Sequence, residues 1–253
     1  MCGRLRREWD EKEIPKEWFT QMEIAIELDR IKPLYKPTYN AAPGQHHPVI
    51  VQNRDGENII RLMRWGLVRP GATKGTPKPI DARAETILRK ELFRDLVPGR
   101  RCIVPVSGYY EWRTEDGRRV PYSIRSADGR LLWIAGLYDA WTNGDGTTTE
   151  TYCVITTTPS PEIAHIHDRM PVLLQSRDDQ FRWLDRKERD LSRIMPLLRP
   201  YPGERLTYWA VSDLVNNVRN DGRELILPRS ESLEPAPRMA TIEPVNLALP
   251  LAS

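Results

Sequence analysis

A cysteine at position 2, behind an initiator methionine, has the most unusual chemistry in this chain within its reach. Because the cysteine side chain is small, Met1 is readily removed, and the new terminal residue then carries an amine and a thiol on neighbouring carbons. Such an α-amine has a pKa of about 7.7–8.0, so a sizeable fraction is neutral at physiological pH and able to attack an aldehyde. A lysine, near about 10.4, needs strong perturbation to do the same. The adjacent thiol can capture the resulting imine as a five-membered thiazolidine, and proximity makes that closure effectively intramolecular. The same thiol could instead serve as an acyl-transfer nucleophile with its own amine as base. On Met1-Cys2-Gly3-Arg4 alone, an incidental cysteine at a frayed terminus is the simpler reading.

The other cysteines do not compete with it. Cys102 and Cys153 sit in apolar, β-branched surroundings, where a buried and inert thiol is the expectation. Three cysteines in all make neither the even count of a disulfide framework nor the close pairing of a zinc site. Glu111 stands between Tyr110 and Trp112 just beyond an apolar strand, a setting that raises a carboxyl pKa by partial desolvation and suits general acid–base work. A solvated turn glutamate is the alternative.

Several separated motifs change the balance. Tyr39-Asn40-Ala41-Ala42-Pro43-Gly44 is a loop signal, Ile80-Asp81-Ala82-Arg83-Ala84-Glu85-Thr86 precedes a helical pattern, and Ser107-Gly108-Tyr109-Tyr110-Glu111-Trp112 follows an apolar strand. Ile166-His167-Asp168-Arg169-Met170-Pro171 comes later, and Trp65-Gly66 and Val211-Ser212 through Asn220 add to the set. With the terminal Cys-Gly-Arg, this ordered pattern resembles the SOS-response-associated peptidase (SRAP) family, whose members shield abasic sites, over Cys2 to Pro228.

The resemblance implies a compact domain with a β-barrel-like core and a basic channel for DNA. It makes Glu111 a proton shuttle that helps open the deoxyribose ring. His167 is the one histidine of four inside a matching motif, and an unperturbed pKa near about 6.5 suits it to proton donation. His46, His47 and His165 read as surface or capping residues. Arg4, Arg83 and Arg169 fall inside matched motifs, where guanidinium groups could grip phosphates. Trp65 and Trp112 resemble the family's aromatic contacts to bases, a mode that needs no sequence preference; core packing is the rival for Trp65. Asn40 and Pro43 shape the loop near the terminus.

One position departs from the family, which usually has Asn where this chain has Asp81. An ionised carboxylate only accepts hydrogen bonds, so it favours the protonated amine and opposes imine formation, unless it relays the proton itself. The expected function is covalent capture of abasic sites in single-stranded DNA by a thiazolidine on Cys2, with catalytic roles for Cys2, Glu111, His167 and Asp81. No cofactor or metal is expected. The rival readings are a thiol peptidase or self-processing N-terminal hydrolase using Cys2, and a non-catalytic single-strand binding module.

Positioning these residues requires a fold, and the chain of 253 residues with 40% hydrophobic content suffices for one sizeable core. Strand-like runs at 48–52, 58–65, 102–106, 120–125, 131–138, 149–156 and 206–211 are joined by turn signals such as Asp55-Gly56, Asp116-Gly117, Asp128-Gly129 and Asn143-Gly144. Helical spacing marks Trp9 to Leu28, Ala84 to Leu96 and Asp178 to Leu198. Consecutive hairpins with inserted helices predict an α+β domain, mainly antiparallel with a barrel-like core and flanking helices, over residues 1–228. A parallel doubly wound sheet is disfavoured. Residues 229–253 read as a loosely ordered extension.

Charge decides little: 38 basic against 35 acidic residues leave +3, close to neutral, and the scarcity of lysine, 8 of the 38, as often reflects genome composition. The sequence lacks a run of 18 apolar residues or a signal-peptide pattern, so a cytoplasmic protein, nucleoid-associated in a bacterium, is the expectation. A monomer is the expected state, though no residue pattern fixes it.

Overall fold

The computed structural model describes residues 2–9, 37–73, 75–142 and 144–229. The helix expected over Trp9 to Leu28, apart from Trp9, and the extension beyond Arg229 lie outside the described residues, as does Asn143 of one turn signal. The rest is a single compact α+β domain built on twelve strands and a few short helices.

Five strands close into a barrel: β3 (His46–Gln52), β4 (Asn58–Trp65), β6 (Arg101–Val106), β9 (Leu132–Thr142) and β10 (Thr148–Thr157). Each pairs with the next in the order β10, β4, β3, β6, β9, and β9 pairs back onto β10. Closure removes the free edges that an open sheet would present. The expected antiparallel character holds for most of the ring, with an exception at β10. That strand runs parallel to β4 and also to β5 (Asp81–Arg83), and antiparallel to the short β11 (Met170–Pro171).

A second, antiparallel sheet packs against the barrel in the order β12 (Leu206–Ala210), β8 (Arg118–Ser126), β7 (Gly108–Glu115), β1 (Arg4–Arg7) and β2 (Thr38–Ala41). The alternation of side chains along each strand explains the division of the core. In β10, Tyr152 and Val154 join a cluster with Leu5, Tyr109 and Ile124 of the second sheet, while Cys153 and Ile155 face a cluster containing Trp183 and Ile194. Both Cys102 and Cys153 are fully buried, free thiols.

The helical expectation over Ala84 to Leu96 is corrected. A 3-10 turn occupies Ala84–Thr86, and an α-helix of one turn, α1, follows at Glu91–Arg94 after extended backbone at Lys90. Ile87, Phe93 and Leu96 still reach the core, so turns satisfy the same apolar spacing without a continuous helix. The pair expected over Asp178 to Leu198 appears as α2 (Arg177–Leu184), capped by Ser176, and α3 (Leu191–Ile194), capped by Asp190, with a 3-10 turn at Met195–Leu197. Strands β1, β2, β5 and β11 escaped the sequence pattern because each has four residues or fewer; β7, eight residues long, escaped it too, and Glu111 lies within that strand rather than beyond one.

Candidate active site

The second sheet brings the chain's start to Glu111. β1 lies antiparallel to β7 with Arg4 opposite Tyr110, so the residues before Arg4 run toward Glu111 and Trp112. Period-two alternation sends Tyr109 toward the cluster that holds Cys2, and Tyr110 toward a separate cluster of Val211, Val215 and Leu225 against which Trp112 packs. Glu111 shares the strand face of Tyr109 and is 1% exposed. Gly108 begins β7 because a Cβ there would run into the Arg6 guanidinium and the carbonyl of Ile124.

Burial pushes the Glu111 carboxyl up to about 7, against the pull of the positive amino terminus. The Cys2 thiol is fully buried, and burial raises it well above the usual thiol range, with the charges of Glu111 and Asp81 adding to the effect. These three groups therefore share one electrostatic environment. His167 Nε2 lies 3.8 Å from Glu111 Oε2, too far for a direct hydrogen bond but a distance that one intervening oxygen can bridge. Its Nδ1 accepts the Arg169 amide at 3.0 Å and lies 2.9 Å from the exposed Asp168 carboxylate. Burial lowers the imidazole from its ordinary value, the amino terminus and Arg119 act in the same direction, and Asp168 and the backbone of Arg169 oppose them.

An open cleft of about 610 Å³ lies over this group, lined by Gly3, Arg4, Ile80, Arg83, Trp112, Arg119, His167, Asp168, Arg169 and Asn216. Asp81 does not line the cleft; it lies in β5 between Ile80 and Arg83, which do, and its Oδ2 accepts a hydrogen bond from Thr156 Oγ1 at 3.3 Å. Arg83 is exposed. The Arg4 guanidinium is held by Asn40 Oδ1 at 2.7 Å, by the Val215 carbonyl at 2.7 Å and by the Asn216 carbonyl at 3.1 Å. Arg169 is committed to Glu85 through two bonds of 2.9 Å.

Not every residue picked from sequence reaches the cleft. Trp65 is 1% exposed, stacks on Tyr152 at 6.1 Å and donates Nε1 to the Ile80 carbonyl at 2.8 Å. Its role is packing, because an indole enclosed on all sides presents no face to a base. Asn40 is likewise buried, and its amide nitrogen donates to the carbonyls of Val215, Asn217 and Asn220. It builds the loop beside Arg4. Pro43 is exposed in a turn completed by Gly44 at φ 87°, and does not line the cleft.

Arg119 and Asn216 went unnoticed in the sequence. The Arg119 guanidinium lies 5.7 Å from the centre of the Trp112 ring, and Asn216 Oδ1 accepts from Trp112 Nε1 at 2.7 Å. A signal for Arg119 did exist. The Asp116-Gly117 turn, with both residues at positive φ, sets Thr114 opposite Arg119, which puts Arg119 on the face of Trp112. Asn216 lies inside the matched Val211 to Asn220 segment, but nothing local pairs it with Trp112, which it reaches across 104 residues.

Among the described residues no group of three or more His, Cys, Asp or Glu could hold a metal ion, and no helix is long and apolar enough to cross a membrane.

The chain is similar to the abasic site processing protein YoqW of Bacillus subtilis (strain 168), 38% identical over 234 residues that make up 89% of this chain and 99% of the relative. The abasic site processing protein HMCES of Gallus gallus is 31% identical over 226 residues, 77% of this chain and 67% of its own. A solved protein from Bacteroides thetaiotaomicron superposes with a TM-score of 0.77 over 90% of this chain and 100% of that one, at 23% identity, a likeness of fold alone. The family description "SOS response associated peptidase (SRAP)" matches residues 1–218. By ordered motifs, fold and sequence identity alike, the chain belongs to the SOS response associated peptidase family.

Proposed function

We propose that this protein captures abasic sites in single-stranded DNA covalently, through Cys2 as the terminal residue after removal of Met1. One observation carries the reading: a buried cysteine next to the chain's start shares its surroundings with Glu111 and Asp81, and His167 stands 3.8 Å from Glu111 at the edge of a cleft. Relatives named for abasic site processing support it.

The neutral Cys2 amine attacks the C1′ aldehyde of the ring-opened sugar, forming a C–N bond. Loss of the oxygen as water gives the imine, with His167 supplying a proton toward the sugar oxygen and Glu111, near neutrality in its pKa, shuttling protons. Sulfur then adds to the imine carbon while its proton passes to nitrogen, closing the thiazolidine. Atoms and electrons balance without an added oxidant or cofactor. An open iminium is an electron sink for β-elimination and strand cleavage; ring closure removes that sink and shields the strand. In this reading Arg83 and Arg119, which line the cleft, meet phosphates and Trp112 meets a base.

The raised thiol weighs against the peptidase reading. A buried, neutral thiol is a poor nucleophile toward an amide, whereas attack led by the amine needs no thiolate at the start.

The test mixes Met1-processed protein with single strands bearing one abasic site and runs a denaturing gel without borohydride. A heat-stable adduct that is absent with Cys2→Ala protein and with intact-base strands is expected. Equal adduct with Cys2→Ala, or none with the wild-type protein, overturns the proposal.

A further inference from the structure

Glu85 follows β5 in the 3-10 turn Ala84–Thr86 and faces the loop that carries His167. Its two carboxylate oxygens grip Arg169 in fork geometry, Nη1 to Oε1 and Nη2 to Oε2, each at 2.9 Å. The same Nη2 donates to the Thr156 carbonyl at 2.8 Å and to Thr156 Oγ1 at 3.3 Å, and that hydroxyl donates to Asp81. The Arg169 side chain is 11% exposed, so the protein itself takes up its terminal nitrogens.

The main chain of Arg169 has a separate task. Its N–H donates to His167 Nδ1 at 3.0 Å. A neutral imidazole has one bare nitrogen and one N–H, so an amide aimed at Nδ1 leaves the proton on Nε2. Nε2 is the nitrogen that stands 3.8 Å from Glu111. Strand pairing begins only at the next residue, where Met170 sits opposite Thr157. Its side chain therefore anchors Arg169 just outside the ladder.

We propose that Glu85 is a positioning residue for His167: by holding Arg169 it keeps the Arg169 amide on Nδ1 and so selects the tautomer that presents a proton toward Glu111. The inference rests on the capture chemistry proposed above. The charged groups around the ring are Glu111 of β7, Arg119 of β8, Asp168 of its own loop and the amino terminus. Asp168 Oδ1 also lies 2.9 Å from Nδ1 and pulls toward a proton on that nitrogen, but its side chain is 85% exposed, where solvent weakens the pull. The competing assignment makes Arg169 a phosphate clamp that Glu85 blocks in the free protein.

The experiment uses the full, Met1-processed chain as wild type, Glu85→Ala and Glu85→Gln. Glu85 is 44% exposed, and a thermal melt verifies that the variants fold. Three readouts are taken: the imidazole ¹⁵N shifts of His167 in the free protein, the rate of adduct formation against pH, and affinity for an intact-base single strand. Glu85→Ala is expected to turn one dominant Nε2–H tautomer into a mixture, to slow capture about fivefold and to move its pH profile, the size of effect usual for coupling inside one hydrogen-bond network. Intact-strand affinity stays unchanged, and Glu85→Gln restores most of the loss. An unaltered tautomer in Glu85→Ala, or tighter binding to intact strands with an unmoved pH profile, overturns the proposal. A wild-type protein that forms no adduct defeats the capture reading alone, because the ¹⁵N shifts still decide the role of Glu85.

Discussion

Trp112 donates its indole N–H to Asn216 Oδ1 at 2.7 Å, tying the strand that carries Glu111 to the loop whose carbonyls hold Arg4. The bond turns one indole into a wall of the cleft with Arg119 over its ring. Trp65, on β4 of the barrel, is sealed in the core.

The two tryptophans therefore differ in what their loss does. Trp112→Ala removes a half-buried ring and one hydrogen bond, so it is expected to lower the melting temperature less than Trp65→Ala does and to weaken single-strand binding by about 1–3 kcal/mol, as a stacking contact does. Trp65→Ala is expected to destabilise the fold by about 3–5 kcal/mol through the cavity it leaves. Urea titrations and fluorescence anisotropy with an intact-base strand separate these effects.

Glu111 links stability to pH. Its carboxyl titrates near about 7 in the fold against an ordinary value of 4.5, so the folded state binds the proton more tightly. Its contribution is most favourable below pH 4.5, falls as pH rises to about 7 and is level above that. Glu111→Gln should be more stable than wild type at pH 8 by up to about 3 kcal/mol, with the gap closing in acid. Capture by the same variant should slow by about 10²-fold or more. Equal urea midpoints at pH 8 would contradict the assignment of the raised pKa.

Cys2→Ser retains the amine and loses the thiol. It is expected to form an imine that borohydride traps and heat destroys, with increased strand cleavage, because nothing removes the electron sink. A gel run with and without borohydride reads both outcomes.

Asp81→Asn tests the departure from the family's usual residue. The carboxylate raises the Cys2 thiol, and by the same sign it favours the protonated amine. Replacing it should lower both pKa values and speed capture near pH 7 by up to about tenfold, the effect of about one pKa unit. Single-turnover rates between pH 6 and 9 measure this; a slower variant would instead make Asp81 a proton relay.

Much of the architecture is legible in the residue pattern. Runs such as 58–65 read as strand because both faces carry apolar side chains, Ile60 toward one cluster and Ile59, Met63 and Trp65 toward the other, and Asp116-Gly117 marks a hairpin because both positions need positive φ. Ordered motifs exposed Cys2, Glu111 and His167 together, since each is a reactive group in a short, local pattern. The sequence could not show that β9 pairs back onto β10, because closure joins strands through backbone groups that carry no side-chain signature. Nor could it show that Trp65 faces inward, that Asn216 reaches Trp112, or that Glu85 takes both terminal nitrogens of Arg169. Those facts depend on burial and on partners far apart along the chain. Local pattern selects which side chains are available; packing in three dimensions decides which of them meet and which are enclosed.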